Sequence, residues 1–323
     1  CGLAPRHWEL GQGGCVMKPP AKLVQFHGAI VDLIYHVEAV PAPGSEAFVK
    51  QFEIYAGGGF NAMVSAKRSG MAVSYAGSLG TGPLSEVVSS ALASEGIDHL
   101  RPRDETRDQG CCTVMIDRAG ERTFVAAEGA EGYVAAEELR SVQLSDLDWS
   151  ILSGYTLHYE GSRKTFTNWL SSAETMPSLI FDPSPVIGAV QPEAIEAALA
   201  SVTWVSANSV EATILTGESD PSKAAEHLAK GRSGGSVIRT GAEGCIVSFA
   251  GINQWVPGYP VMAVDTNGAG DAHIGAFIAC LARGQSPPAA ALYANIAAAL
   301  STKRYGPATA PVRFEIEETL RSL

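Results

Sequence analysis

Short apolar runs alternate along the chain with longer stretches in which apolar residues recur every three or four positions. The short runs are typical of buried strands, and the longer stretches are typical of helices that turn one face to a core. The predicted strands are Leu23–His27, Val73–Gly77, Ser150–Ser153, Leu179–Asp182, Trp204–Ser206, Ser236–Arg239 and Cys245–Phe249. The predicted helices are 61–69, 84–94, 163–173, 192–200, 209–216, 221–230, 269–283, 287–304 and 312–321. This alternation predicts an α/β fold, with a doubly wound, mostly parallel sheet flanked by helices.

Two stretches, residues 30–56 and 108–128, break this alternation with short β segments and turn signals. The second contains a predicted hairpin, in which Cys112–Ile116 and Arg122–Val125 flank a turn at Asp117–Gly120. The two stretches could pair into a small β-sheet that covers an active site as a lid. Alternatively, they are two unrelated excursions of the surface, and the pattern leaves both interpretations open.

The chain has 323 residues, which is enough for two average domains or for one large α/β domain. No internal repeat or low-complexity linker divides it, so we expect one domain over residues 22–323 that includes both interrupting stretches. Residues 1–21 are predicted to be a disordered leader or an appended segment outside that domain, because their sequence lacks periodicity.

Charge and composition exclude several classes of function. The chain has 23 basic and 34 acidic residues, so its formal net charge is −11. Because nucleic acids and anionic membranes select basic surfaces, neither is an expected partner. A membrane-spanning helix needs about 18 consecutive apolar residues, and no run in this sequence approaches that length. The six cysteines show no C-x-x-C spacing, which favours a reduced, cytoplasmic chain.

Candidate chemistry is concentrated in residues 264–272, where a β-like segment leads into a long predicted helix. Gly268, Ala269 and Gly270 carry little or no side chain, so their backbone can approach a ligand closely. The free N–H groups and positive dipole of a helix N-terminus favour a bound anion. Asp271 follows in the first helical turn, where a carboxylate can accept the proton of a hydroxyl that attacks a phosphoryl group. In the alternative interpretation, Asp271 is merely the helix N-cap.

The same stretch reads Asp265-Thr266-Asn267-Gly268-Ala269-Gly270-Asp271, which resembles the D-T-x-G-A-G-D signature of the ribokinase, or PfkB-type, family of carbohydrate and nucleoside kinases. Near the N-terminus, Ala56-Gly57-Gly58-Gly59-Phe60-Asn61 is similar to the family's G-G-x-x-x-N signature, with the glycine run offset by one. The resemblance implies a ribokinase-like fold with a small β-sheet lid. It also implies that ATP phosphorylates a hydroxyl of a sugar or nucleoside, with Asp271 as general base and Gly268–Gly270 as anion hole.

The resemblance implies a substrate site near the first predicted strand. Asp32 matches an acidic residue of the family that grips sugar hydroxyls, and one carboxylate can accept two hydroxyl donors. Gly57, Gly58 and Asn61 would complete the site by bringing backbone close to the sugar ring. Without the resemblance, Asp32 is read as a solvated turn residue and Asn61 as an ordinary helix start.

The resemblance also implies a nucleotide site. The residues that it assigns to ATP are Asn208, Glu211, Arg239, Gly241 and Asn295. Glu211 would act on Mg²⁺ through water, since Mg²⁺ retains several waters. The pair Asn208 and Glu211 is equally typical of a capping pair at a helix start, and the two interpretations do not exclude each other.

Asp265, together with carbonyl groups near Asn267 and Gly306, resembles the monovalent-cation site of many family members, which implies use of K⁺. Two segments depart from the family pattern. Residues 77–85 lack an acidic pair, which argues against an unmodified ribose-type pocket. Asp182-Pro183-Ser184-Pro185 lacks an Asn and an Arg, which argues against a substrate that already carries a phosphate.

An alternative of another class is a non-catalytic sugar-binding or regulatory protein on the same fold. A binding protein needs no base beside an intact glycine turn, so the sequence favours the kinase. A dinucleotide-dependent oxidoreductase is disfavoured, because the G-x-G-x-x-G fingerprint is missing near the first strand. His273 is expected to be a packed helix histidine. In this family lids often pair edge strands into dimers, and the sequence leaves open whether this chain forms such a homodimer through the lid.

Overall fold

The structure is a computed structural model that describes residues 21–145, 148–172 and 176–323. The predicted leader, residues 1–21, lies outside the described residues except for Ala21, and so does residue 173 of the predicted helix 163–173. Within the described ranges, no helix is both long enough and apolar enough to cross a membrane.

The large sheet has nine strands in the described part of the chain. They are β1 (Lys22–Gln25), β4 (Ala72–Tyr75), β5 (Asp98–His99), β8 (Trp149–Ser153), β9 (Ser178–Asp182), β10 (Trp204–Asn208), β11 (Gly235–Arg239), β12 (Gly244–Phe249) and β13 (Ile252–Pro257). Their order across the sheet is β13-β12-β11-β10-β9-β8-β1-β4-β5. The pairs from β11 to β5 are parallel, whereas β12 and β13 form an antiparallel hairpin at one edge. The predicted mostly parallel sheet is therefore confirmed.

The smaller sheet, which we call the lid sheet, consists of β2 (Ala29–His36), β3 (Gln51–Gly58), β6 (Cys111–Ile116) and β7 (Arg122–Ala127). Its order is β3-β2-β6-β7, so the two interrupting stretches pair with each other. The interpretation as two unrelated excursions is wrong. Asp32 lies opposite Tyr55 and Cys112, and Cys112 lies opposite Ala126, so these four side chains share one face.

Helices cover both faces of the large sheet. They are α1 (Gly59–Arg68), α2 (Pro83–Ser94), α3 (Ala136–Ser141), α4 (Gly154–His158), α5 (Glu160–Ser172), α6 (Pro192–Ser201), α7 (Ser209–Thr216), α8 (Pro221–Ala229), α9 (Ala269–Ala282), α10 (Pro287–Ser301) and α11 (Arg313–Arg321). Successive strand residues belong to different core clusters, for example Leu23 to one and Val24 to the other. This alternation places one apolar core on each face of the sheet, as a doubly wound fold requires.

Helices α1 and α9 pack closely enough to exclude a side chain between them. A Cβ at Gly275 would lie 2.3 Å from the carbonyl oxygen of Ala62 and 2.7 Å from the Cβ of Ser65. The Ser65 hydroxyl also donates a hydrogen bond of 2.6 Å to the carbonyl of Ala272. These contacts hold the two helices side by side, although the helices are far apart in the chain.

The apolar pattern missed β5, β13, α3 and α4. In β13 most side chains are exposed and Val256 is the buried one, so this edge strand has no apolar run to detect. The predicted helix 287–304 ends earlier, at Ser301. The chain turns there because the carbonyl of Thr302 accepts hydrogen bonds from the N–H groups of Val264 and Asp265.

Candidate active site

The turn before α9 has the geometry of an anion-binding site. Gly268 is the N-cap of α9 and is left-handed, with φ of 71°, a conformation that glycine adopts without strain. No side chain in the described part of the chain caps this helix. The N–H groups of the first turn are therefore available to an anion, which the helix dipole favours. Asp271 is the third residue of α9, so the alternative in which Asp271 is the N-cap is wrong.

Neighbouring groups shift the pKa of the Asp271 carboxyl group in opposite directions. Burial and the negative charge of Asp182 raise its pKa from 3.8 to about 7, whereas Asn61 and Arg239 favour its charged form. The Asn61 side chain donates a hydrogen bond of 3.1 Å to Asp271 Oδ2. Asp271 is consequently present in both protonation states near neutral pH, which suits a general base.

Asp32 lies in the middle of the lid sheet and is 8% exposed. Burial raises its pKa from 3.8 to about 6, and no group in the described residues donates a hydrogen bond to this carboxylate. A Cβ at Gly57 would lie 2.2 Å from Asp32 Oδ2, so this position leaves room for glycine alone. A buried carboxylate without donors is typical of a group that receives hydrogen bonds from a ligand.

Asn61, near the start of α1, connects the substrate side to the glycine turn. Its amide group bonds to Asp271, and a Cβ at Gly268 would lie 3.3 Å from Asn61 Nδ2. Its Oδ1 atom is buried without a partner among the described residues. The N-cap of α1 is Gly58, with φ of 60°. The structure therefore brings Asn61 and Gly58 to the same place as the catalytic candidate.

A cavity of about 700 Å³ opens beside Asp271. All the residues predicted for ATP line it together with the glycine turn: Asn208, Glu211, Arg239, Gly241, Asn295, Gly268, Ala269 and Gly270. Asp182, Asn208 and Arg239 are the last residues of β9, β10 and β11. These strands are parallel, so their carboxyl ends meet at one edge of the sheet, where α/β proteins bind ligands.

Among the described residues that line this cavity, Arg239 is the cation. One of its amino groups donates a hydrogen bond of 2.6 Å to the Ser206 hydroxyl. The other lies 3.5 Å from Glu211 Oε2 and 3.7 Å from Asp182 Oδ1. Burial raises the pKa of both carboxyl groups, and the positive charge of Arg239 opposes that shift. Two buried carboxylates thus share one guanidinium, which leaves the cluster able to accept a further cation.

Several predicted nucleotide residues also have structural partners. Asn208 Oδ1 accepts a hydrogen bond from the Glu211 N–H, and Glu211 Oε2 accepts one from the Asn208 N–H, each 2.8 Å long. The capping-pair interpretation is therefore confirmed, while Glu211 also lines the cavity. The Asn295 amide donates hydrogen bonds of 3.1 and 2.9 Å to the carbonyls of Val256 and Pro257. Asn295 thus fixes β13 at the cavity wall.

Asp265 does not have the surroundings that were expected of a K⁺ ligand. Its Oδ1 accepts a hydrogen bond of 2.8 Å from the Asn267 N–H, and its Oδ2 accepts one of 3.0 Å from the Gly306 N–H. Arg122 of the lid sheet lies 2.5 Å from Oδ1. N–H groups and a guanidinium therefore face this carboxylate, and they do not fit a bound cation.

The sequence interpretation assigned no role to Tyr155 or Asp182. Tyr155 stacks on His27, with ring centroids 6.3 Å apart and an angle of 12° between the rings. Burial raises the pKa of Tyr155, and the negative charges of the nearby Asp182, Asp271 and Glu211 add to that shift. Asp182 lies at the carboxyl end of a predicted strand, and Tyr155 lies just after the end of another. Because α/β proteins bind ligands at these strand ends, this position could have indicated both residues.

His273 is a packed residue, as expected from the sequence. It is 2% exposed, and its ring lies nearly parallel to that of Phe277, with centroids 6.1 Å apart. Burial lowers its pKa from 6.5 to about 3, so the imidazole is neutral at physiological pH. A neutral, enclosed imidazole is unsuited to the role of a proton acceptor during turnover.

Comparisons with known proteins agree with this architecture. The chain is 29% identical over 293 residues to the uncharacterized sugar kinase YegV of Escherichia coli (strain K12), which covers 89% of this chain and 90% of that protein. It is 27% identical over 304 residues to ribokinase of Haemophilus influenzae, and this alignment covers 88% of this chain and 94% of that ribokinase. Ribokinase from Cryptococcus neoformans var. grubii serotype A in complex with ADP shares the fold, with a TM-score of 0.77. The two sequences are 19% identical, and the structural alignment covers 94% of this chain and 100% of that ribokinase chain.

Residues 21–313 match the family described as pfkB family carbohydrate kinase, so the chain belongs to that family. The resemblance carried by the glycine signature is confirmed. The protein is thus a member of a family of carbohydrate kinases and has a ribokinase-like fold.

We expect Asp271→Asn to stabilise the ligand-free protein above neutral pH. The pKa of Asp271 is about 7 in the folded protein, above its ordinary value of 3.8. The folded state therefore binds the proton more tightly, and stability falls as the pH rises from about 4 to about 7. Removing the charge should raise the free energy of unfolding by on the order of 2 kcal/mol at about pH 8. Urea denaturation as a function of pH measures this difference, which should disappear below about pH 4.

The matched control is Asp98→Asn, which removes one carboxylate from an exposed strand residue. It should change the stability little at either pH. Destabilisation by Asp271→Asn at about pH 8 would show that the Asn61 hydrogen bond outweighs the burial of charge.

Proposed function

We propose that the protein transfers the γ-phosphoryl group of ATP to a hydroxyl group of a sugar or nucleoside, with Asp271 as general base. The observation that carries the proposal is a carboxyl group with a pKa of about 7 beside an uncapped helix N-terminus. The charges of Asp182, from the cavity, and Asp32, from the lid sheet, both act on it. Asp271 is thus within electrostatic reach of both proposed ligand sites.

In the proposed reaction, the ionised Asp271 carboxylate accepts a hydrogen bond from the acceptor hydroxyl. As the hydroxyl oxygen attacks the γ-phosphorus, its proton passes to the carboxylate, the bond from the γ-phosphorus to the β,γ-bridging oxygen breaks, and ADP leaves. The N–H groups of Gly268–Gly270 stabilise the negative charge on the transferring phosphoryl group. Arg239 adds a positive charge at the same turn, because a Cβ at Gly270 would lie 3.8 Å from its guanidinium. A closed lid sheet would exclude water and so prevent hydrolysis of ATP.

The nucleotide would occupy the cavity of about 700 Å³ that ends at the glycine turn. A protein of the same fold was solved with ADP, which supports a nucleotide as ligand of this protein. With a net charge of −11, the chain has no general positive field for a polyanion. The proposed holders of the phosphates are therefore Arg239 and backbone N–H groups, with Gly241 and Asn295 along the cavity wall.

Mg²⁺ fits the acidic cluster at this cavity. Asp182 and Glu211 are two carboxylates with one guanidinium between them, and they would hold the ion through water. In the described residues, no three His, Cys, Asp or Glu side chains could hold a metal by themselves. This agrees with an ion that takes most of its ligands from phosphate and water. When bound, Mg²⁺ would neutralise charge on the phosphate oxygens.

The proposed acceptor is a polyhydroxylated molecule. Within the described ranges, Asp32 offers a carboxylate without donors and Asn61 offers an unpaired amide oxygen, and Gly57 keeps the backbone close to Asp32. Hydroxyl groups satisfy these acceptors, whereas a phosphorylated substrate would bring negative charge beside Asp32. The relatives named ribokinase and sugar kinase support an acceptor of this class.

An ADP-release assay across pentoses, hexoses, nucleosides and sugar acids tests the proposed function. With the best acceptor, we expect Asp271→Asn to lower kcat by about 10²–10⁴-fold, the usual contribution of a general base. Binding of ATP and of the acceptor should persist, because the amide retains the shape of the side chain. Isothermal titration calorimetry measures both affinities.

Asp98→Asn serves again as control and should leave kcat unchanged. Unchanged turnover in Asp271→Asn would remove Asp271 from the proposed mechanism. The lack of turnover of any acceptor by the unmodified protein, together with intact sugar binding, would favour the non-catalytic alternative.

Asp32→Ala should weaken acceptor binding and leave ATP binding nearly intact. The buried carboxylate is proposed to accept hydrogen bonds from acceptor hydroxyls, and each charged hydrogen bond lost costs about 1.5–3 kcal/mol. This corresponds to a rise of about 10- to 100-fold in the acceptor Kd. Titration calorimetry with each ligand separates the two sites. Equal weakening of both ligands would mean that Asp32 acts on the fold of the lid sheet instead.

We propose that two copies of the chain pair through the outer face of the lid sheet. Ile54 and Val125 are 44% and 58% exposed, and the strand register places them on the face opposite Asp32. Phe52, 47% exposed, lies on that same face. Sedimentation equilibrium should give a dimer for the unmodified protein and a monomer for Ile54→Glu. A monomer in both cases would contradict this proposal.

A further inference from the structure

The lid sheet makes an ion pair with the loop that leads into the glycine turn. Arg122 is the first residue of β7, and its guanidinium lies 2.5 Å from Asp265 Oδ1. The strand register places Arg122 opposite Ile116, and Ile116 opposite His36. His36 is four residues from Asp32 in the same strand, so Arg122 projects from the face that carries Asp32. This is the face of the lid sheet that lies toward the site.

The ion pair is largely shielded from water. The Asp265 side chain is 9% exposed and that of Arg122 is 28% exposed. Solvent screening is weak for such a pair, and a hydrogen bond between two charged groups is stronger than a neutral one. The contact therefore differs from the surface ion pairs elsewhere on the lid sheet, such as that of Arg118, whose side chain is 78% exposed.

Three donors with positive charge already surround the same carboxylate, two at Oδ1 and one at Oδ2. The N–H groups of Asn267 and Gly306 already donate to its two oxygens. The nearby carbonyl of Thr302 accepts hydrogen bonds of 2.7 and 3.0 Å from backbone N–H groups. A cation at this place would meet N–H groups and a guanidinium, all with positive charge directed toward it, which repel it. The donor set thus fits a guanidinium and does not fit K⁺.

We propose that Arg122 supplies, from the lid sheet, the positive charge that the family resemblance assigns to a monovalent cation, so that phosphoryl transfer by this protein is independent of K⁺. The inference rests on the proposed function for its kinetic consequence. Its structural basis, the occupied Asp265 carboxylate, does not depend on which acceptor the protein phosphorylates.

Arg122 acts through Asp265 and is therefore a positioning residue. Asp265 Oδ1 holds the N–H of Asn267, the residue directly before Gly268. The charge of Arg122 thus orients the start of the proposed anion hole. Tyr55, which shares the inner face of the lid sheet, lies close to Gly306, since a Cβ at Gly306 would lie 3.5 Å from its ring, and the Gly306 N–H donates to Asp265 Oδ2. Closing of the lid sheet and ordering of the glycine turn are thereby coupled.

The first test compares K⁺, Na⁺ and choline chloride at equal ionic strength, so that general screening is constant. For the unmodified protein we expect kcat, the Kd of ADP and the unfolding temperature to be the same in all three salts. We count kcat and Kd values as the same when they differ by less than about twofold, which corresponds to a free-energy difference below RT. An increase of kcat by about fivefold or more in K⁺ over choline, or a K⁺-specific rise of the unfolding temperature, would overturn the inference.

The second test uses three variants. Arg122→Ala should lower kcat by about 10- to 100-fold, as expected for a lost charged hydrogen bond, and leave the Kd of ADP within about twofold. The affinity for ADP should stay the same because ADP lacks the phosphoryl group that the glycine turn is proposed to hold. Arg122→Lys, which keeps the charge, should retain more activity than Arg122→Ala. Arg118→Ala removes an exposed arginine of the same hairpin and should change nothing.

Equal kcat in Arg122→Ala and Arg118→Ala would overturn the inference. A double-mutant cycle with Asp265→Asn adds a readout, because the two losses should be far from additive if they report one contact. Additive losses would assign Arg122 to another partner. A lack of turnover with every acceptor would contradict the proposed function alone. In that case the cation dependence of the unfolding temperature would still decide whether K⁺ binds.

Discussion

The hydrogen bond from Asn61 to Asp271 joins residues that are 210 positions apart, and the candidate active site depends on it. It forms because α1 and α9 approach so closely at Gly275 that no side chain fits between them. Through α1, Asn61 is continuous with β3 and the lid sheet, which carry the substrate candidates. Through α9, Asp271 is continuous with the glycine turn and the nucleotide cavity. A single contact between two helix ends thus aligns the proposed acceptor site with the proposed phosphate site.

The second constraint is the concentration of negative charge at the site. Asp32, Asp182, Glu211 and Asp271 are brought together in a chain that is already acidic, and burial raises the pKa of each. Arg239 offsets part of this repulsion within the cavity. The remainder makes the site receptive to hydroxyl protons and to a metal ion, because each of them adds positive charge beside a carboxylate. The acidic composition and a phosphate-binding function are compatible because cation and N–H groups are concentrated at one turn.

Much of the fold was predictable, because buried strands and amphipathic helices leave a periodic apolar pattern. The exposed edge strand β13 left none and was missed, since its neighbours on the sheet determine its place. Within the site, the glycine turn and Asp271 were found because consecutive residues carry the signature. Tyr155 and Asp182 were not assigned, because each is a single residue at the end of its own strand. Arg122 had no local signal at all, because its partner Asp265 is 143 positions away.

The sequence by itself determined the α/β class, the family resemblance, the identity of the catalytic candidate and the lack of a broad positive surface. These properties are local or additive, since they follow from periodicity, from a contiguous signature and from summed charge. The tertiary structure decided which charges meet. It paired the two interrupting stretches into one lid sheet, committed Asn208 and Glu211 to a capping pair and placed Arg122 where K⁺ was expected. Such contacts depend on strand register and helix packing, which the order of residues in one segment does not encode.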